Sequence, residues 1–199
     1  MVSTLYLYML EASYKLLPVD RVWRGDVPGL DQDFDWEKVW ANIKLASRNP
    51  DHQQIHHNFV RRTYLTPRKL HFMKVISDPS CTLCTLKTPG TFLHMVWECP
   101  PVARFWQGVA SELTALLSET LPGTIPVLLL NDLSALRVPE CQKRVILAGL
   151  TAAKKMIAVR WKPPHTLSIR QWILTFLDII YMELSTARIN GAKEANVNM

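Results

Sequence analysis

Three cysteines and one histidine fall within nineteen residues, in the order Cys81-x2-Cys84-x9-His94-x4-Cys99, and this spacing constrains the chain more than any other feature. Two cysteines separated by two residues form a tight turn whose sulfurs converge on one ion. His94 and Cys99 are about one helical turn plus one residue apart, so both can reach that ion from a helix end or turn. Three thiolates and one imidazole complete a closed tetrahedral site, the structural rather than the catalytic arrangement of zinc. The expected cofactor is one structural Zn2+ on Cys81, Cys84, His94 and Cys99, with no open position for a water. The alternative is that the three cysteines are small core residues and His94 faces solvent. Cys141, the remaining cysteine, lies in an apolar helical pattern and is expected in the core.

The hydrophobic pattern around this cluster has the helical period. Val102, Phe105, Trp106, Val109, Leu113, Leu116 and Leu117 share one arc of roughly 120° in a helix over 101–117. Asp35 is placed to cap a helix with Trp36, Val39, Trp40 and Ile43 on its apolar face. Asn49-Pro50 ends that helix, and Asp51 opens another carrying Ile55, Phe59 and Val60. Thr66-Pro67 starts a further helix, with Leu70 and Met73 as its buried side. Pro139 opens a long helix to about Trp161, before Pro163-Pro164. Ser168 caps a last helix, with Ile169, Trp172, Ile173, Phe176 and Ile180 inward and Gly191 placed to end it. No alternating strand pattern persists. The predicted fold is therefore mainly α, a helical bundle with a small Cys-Cys-His-Cys zinc-knuckle lobe. Its expected organisation is an N-terminal segment and linker (1–34), a helical region leading into the knuckle (35–76), the knuckle (77–100), a C-terminal helical bundle (101–190) and a frayed tail (191–199).

Composition narrows the function classes. With 48% hydrophobic residues over 199 positions the chain can bury a sizeable core. No run reaches the roughly 18 apolar residues of a membrane span. Met1 to Leu17 is apolar but lacks the basic start and small-residue cleavage site of a secretory signal, so an intracellular protein of the nucleus or cytoplasm is expected. The net charge of +6 is concentrated. Residues 61–87 carry six basic side chains and one acid, and residues 141–171 carry seven and none. Such blocks suit a polyanion. Arg61, Arg62, Arg68 and Lys69 straddle the Thr66-Pro67 helix start, whose free N–H groups also suit phosphate. Lys143, Arg144, Lys154, Lys155 and Lys162 project from the long helix within an arc of roughly 120°, with Trp161 near for stacking. These nine residues are the candidate nucleic-acid contacts; solvated helix faces are the plainer alternative. Tyr64, Phe72 and Trp97 are candidate stacking residues or core.

His52 and His56 stand at i, i+4, but Gln53 occupies the position where a zinc protease needs its glutamate. With His57 they are expected on a polar helix face. Neither a carboxylate pair nor a nucleophile arrangement is evident, so an enzyme is not expected.

The order of a tryptophan-bearing helix, Arg61-Arg62-Thr63-Tyr64-Leu65-Thr66-Pro67-Arg68-Lys69-Leu70, Cys81-x2-Cys84, His94-Met95-Val96-Trp97-Glu98-Cys99-Pro100 and Phe105-Trp106 resembles the reverse-transcriptase zinc-binding domain. That domain is the C-terminal region of LINE-type (non-LTR) retrotransposon reverse transcriptases. The resemblance covers most of residues 35–190. It implies a helical extension behind the polymerase, with Cys81, Cys84, His94 and Cys99 as zinc ligands, that handles RNA or single-stranded nucleic acid. Target DNA and the polymerase domain of the element are further partners it implies. It carries over no catalytic residue, since the chain has no Asp-Asp pair to hold polymerase magnesium. The nine-residue gap between Cys84 and His94 also departs from the short, glycine-rich retroviral knuckle. The expected function is a non-catalytic zinc- and nucleic-acid-binding module without membrane or small-molecule partners. A helical protein-interaction scaffold and an inert retroelement relic are the alternatives.

Overall fold

The structure, a computed structural model, describes residues 19–28, 30, 33–117, 119–159 and 166–197, with side chains through residue 190. Lys162, Trp161, Pro163-Pro164 and Met1–Leu17 lie outside the described residues. The chain divides into two compact units, Met1–Glu37 and Lys38–Met199. The first contains helix α1 (Val19–Asp26), closed by an Arg24–Asp20 ion pair of 3.5 Å across one turn. The second carries the cysteine cluster and the bundle. Among the described residues no strand forms beyond an isolated antiparallel bridge between Ser80 and Pro89. No helix among them is long and apolar enough to cross a membrane.

Local sequence sets most boundaries. Helix α2 spans Trp36–Ala46 and buries Val39, Ile43 and Ala46. Asn49 does more than interrupt the chain: its side chain accepts from the Asp51 N–H and caps helix α3 (Pro50–Val60). Thr66 likewise caps α4 (Pro67–Phe72) by accepting from the Lys69 N–H, with Pro67 at the first helical position. Past the cluster come α5 (Pro100–Leu117), a single turn α6 (Ile125–Leu128), α7 (Glu140–Val159) and α8 (Ile169–Val197). Gly191 does not end α8, which continues to Val197. A glycine stops a helix only where the chain needs a left-handed turn, and none is taken here.

The bundle is built around α7. Residues 146 to 154 of this helix are all buried, and α3, α5 and α8 each pack against it. A helix buried on every side has neighbours on every side. Small residues let them approach closely. A methyl group on Gly149 would lie 2.9 Å from Leu113 Cδ2 of α5 and 3.4 Å from Trp172 Cζ2 of α8. The Trp172 indole N–H donates to the Gly149 carbonyl at 2.9 Å. Those two contacts lock α5 and α8 onto the same point of α7.

Several expected core positions are outside. Met73 is exposed and Leu70 half-buried, because α4 is too short to bring a neighbour over that side. Leu116 is exposed, and Leu117 is only half-buried. Ile173 sits at the exposed margin of α8. Cys141 is exposed too; it lies in the first turn of α7, ahead of the buried run.

Candidate metal centre

Cys81, Cys84, His94 and Cys99 converge so that their ligand atoms all lie within 4.8 Å of one another. Two devices bring them there. The first is a tight loop. The Cys81 N–H donates to the Thr88 carbonyl at 2.7 Å, and the Gly90 N–H donates to the Pro79 carbonyl at 2.7 Å. Inside it the Leu83 N–H points at the Cys81 sulfur, 3.3 Å away. Lys87 takes a left-handed conformation, φ 49°, to turn the chain. The second device is a π turn, His94–Glu98. On an α-helix, residues five apart diverge by about 140°. Here the Cys99 N–H donates to the His94 carbonyl at 2.8 Å, an i to i+5 bond that joins the two ligand residues directly. Pro100 then opens α5. The spacing alone points to a turn plus one residue; the π turn that achieves it carries no sequence signature.

The donor set fits a tetrahedral cation. Metal–sulfur bonds of about 2.3 Å imply sulfur–sulfur edges of about 3.8 Å and sulfur–nitrogen edges of about 3.5 Å. Cys81 and Cys99 sulfurs are 3.9 Å apart, and Cys84 Sγ is 3.4 Å from His94 Nε2. Glu98 brings a carboxylate oxygen within 4.0 Å of His94 Nδ1, the ring nitrogen left for an orienting partner. Without a cation the cluster is electrostatically awkward. Burial, and then the neighbouring Cys81 and Cys84, push the Cys99 thiol up to about 12. Burial opposes ionisation at Cys84 too, yet the Leu86 N–H and the Cys81 and Cys99 thiols hold it below its usual value. A divalent cation between the sulfurs reverses the penalty of gathering them. The reading of these cysteines as plain core residues with His94 in solvent fails, since His94 is buried among them.

The loop is docked onto α4. Arg68 N–H donates to the Gly90 carbonyl at 3.2 Å, and a methyl group on Gly90 would sit 2.7 Å from Pro67 Cγ. With the Lys69 N–H on the Thr66 hydroxyl, the N–H groups expected to be free for phosphate at this helix start are taken.

The candidate nucleic-acid residues separate into exposed and committed groups. Arg61 is exposed, with its guanidinium 5.7 Å from the Trp40 ring centroid. Arg62 is half-buried, 5.5 Å from the Phe92 centroid. Arg68 is exposed on α4. The Lys69 ammonium donates to the Arg62 and Tyr64 carbonyls, closing the loop between α3 and α4. Burial, and then Arg62, lower its pKa. Lys143 pairs with Glu140 at 3.4 Å, while Arg144 and Lys155 are exposed.

Lys154 is a correction. It is fully buried and reaches no phosphate. Its ammonium donates to the Leu129 carbonyl at 2.7 Å and the Asn131 Oδ1 at 2.7 Å, and lies 3.1 Å from His56 Nδ1. His56 corrects the expected polar face in the same way: it is fully buried, and His52 nearly so. The network fixes the His56 tautomer. Nδ1 lies 3.0 Å from the Asn131 amide nitrogen, which can only donate, so it accepts. Nε2 therefore carries the proton and donates to Thr151 Oγ1 at 2.7 Å, whose own proton goes to the Leu147 carbonyl at 2.7 Å. Burial holds both His56 and Lys154 well below their ordinary pKa values. One signal in the sequence marks this site. The stretch Ile146-Leu-Ala-Gly-Leu-Thr-Ala-Ala153 is apolar around the whole helix, the mark of a buried helix rather than an amphipathic one.

No protein-family model matches the chain.

Proposed function

We propose that Cys81, Cys84, His94 and Cys99 hold one structural zinc ion in a non-catalytic, intracellular nucleic-acid-binding module. We take this module to be of the kind that follows the polymerase in LINE-type reverse transcriptases. The observation that carries the metal is the closure of four donors within 4.8 Å. Soft thiolates with one imidazole favour zinc, and four protein ligands leave no position for a reacting water. The ion ties the loop of residues 79–90 to the π turn.

Two basic surfaces support the nucleic-acid part. Arg61 and Arg68 are exposed, and Arg68 borders the docked loop through its N–H on the Gly90 carbonyl. Arg144 and Lys155 are exposed on α7 and, eleven residues apart, point within about 20° of each other. Cations so placed neutralise phosphates in a salt-dependent, sequence-tolerant way. Elemental analysis of the purified protein should find one zinc per chain, lost in Cys84→Ser. Titration of labelled RNA at low and raised salt should show binding that weakens steeply with salt. No binding at low salt removes the nucleic-acid reading, and absence of stoichiometric metal removes the zinc.

One observation favours the scaffold reading. Leu174, Leu177, Tyr181 and Leu184 of α8 are all exposed at spacings of three, four and three, a seam on which a partner helix packs. If that seam is the working surface, Leu177→Glu with Leu184→Glu abolishes association in sedimentation and leaves RNA affinity untouched. Unchanged association discards it.

A further inference from the structure

Phe72 is 88% exposed, more than any other large apolar side chain among the described residues. It closes α4, and the backbone beyond it is firmly set. The Val75 N–H donates to the Leu70 carbonyl and the Lys74 N–H to the His71 carbonyl, each at 2.9 Å. This pair of bonds ends a helix through a left-handed residue. The left-handed residue is Lys74, φ 58°, where glycine would fit without strain. A cation thus stands two residues from the ring. Arg68 lies one helical turn before Phe72, on the same side of α4. His71 and Lys87 both lie close enough to Asp78 to lower its pKa, behind the hydrogen bonds from Ser80 that dominate it. Tyr64 and Trp97, the other aromatics considered for stacking, are engaged inside the fold: Tyr64 packs edge-on to Phe59 and Trp97 tilts against Trp106.

An exposed ring with a cation before and after it along the chain complements a strand that offers flat apolar faces and negative charge together. Unpaired bases on a phosphate backbone have that chemistry, whereas a duplex keeps its base faces stacked. Resting on the nucleic-acid reading above, we infer that Phe72, flanked by Arg68 and Lys74, is a stacking platform for an unpaired base of single-stranded nucleic acid.

The test uses the full zinc-loaded chain and a single strand of about 12 nucleotides carrying 2-aminopurine, against a duplex of the same length. Affinities are measured at about 50 and 200 mM salt. Phe72→Ala should weaken single-strand binding by about 5- to 100-fold and abolish the change in 2-aminopurine fluorescence on binding. Duplex affinity, the salt slope and the melting temperature should stay as they are, and Phe72→Tyr should restore binding. Arg68→Gln should instead lower the salt slope. If the wild type binds the strand but Phe72→Ala binds it within twofold, the platform is refuted and the nucleic-acid reading stands. Phe72→Ala that leaves strand affinity intact but removes self-association marks the surface as a protein contact, and also overturns the inference. A wild type that binds neither probe overturns both.

Discussion

Lys154 and Lys155 are adjacent in the chain and opposite in role, and exchanging each of them measures how far the fold overrides a charge pattern. In Lys154→Ala the Leu129 carbonyl and Asn131 Oδ1 lose the donor 2.7 Å from each. A buried acceptor left without a partner costs about 1–3 kcal/mol. The lost stem leaves a void beside Phe59, whose ring centroid is 5.9 Å from the ammonium, and large-to-small core changes cost about 2–5 kcal/mol. Relief of the desolvated amine, and a water entering the void to bond the orphaned acceptors, offset part of this. The net destabilisation comes to about 3–5 kcal/mol, against a typical total of about 5–15 kcal/mol. Lys154→Met keeps most of the volume and isolates the hydrogen bonds, at about 1–3 kcal/mol. Lys155→Ala, at an exposed position, should stay within about 0.5 kcal/mol. Urea unfolding of the zinc-loaded protein gives the stabilities, and RNA titration across salt gives the charge contributed to binding. Lys154→Met should preserve the salt slope, whereas Lys155→Ala should reduce it by about one unit. A Lys154→Met variant as stable as wild type but with a reduced slope would refute the buried assignment.

Acidification should destabilise the fold through His56. Its pKa is lowered, first by burial and then by Lys154, so the unfolded chain takes up a proton below the ordinary value of 6.5 that the folded chain refuses. Stability is then unaffected by this group above that value and falls beneath it, approaching about 1.4 kcal/mol per pH unit until the folded pKa is reached. Lys154, lowered by burial, acts with the same sign up to its own ordinary value. Urea midpoints between pH 7.5 and 5 should fall more steeply for wild type than for His56→Gln; equal slopes would exclude the assignment. Removing the metal with a chelator should expose amides of residues 77–100 to hydrogen exchange while those of α5 and α7 stay protected. Uniform loss of protection would show that the loop does not open separately. Gly90→Ala forces a methyl into the rigid Pro67 ring at 2.7 Å and should cost about 1–3 kcal/mol, read as a lower melting temperature; an unchanged melting temperature would mean the loop is not held against α4.

The ligand set, the helix start at Thr66-Pro67 and the buried face of α5 are legible in the chain because each depends on residues near one another. Capping oxygens, proline rings and the period of apolar residues act within one or two turns, and two cysteines three apart meet in any tight turn. Which charged residues reach solvent is not decided at that range. Lys154 reads as one more basic residue on a helix until α3, the Leu129 carbonyl and Asn131 close around it. Phe72 reads equally as a core aromatic or a stacking residue until α4 proves too short to be covered. His94 and Cys99 meet only because the helix widens by one residue in its π turn. Burial belongs to the surroundings that other elements supply, and those exist only once distant segments have packed.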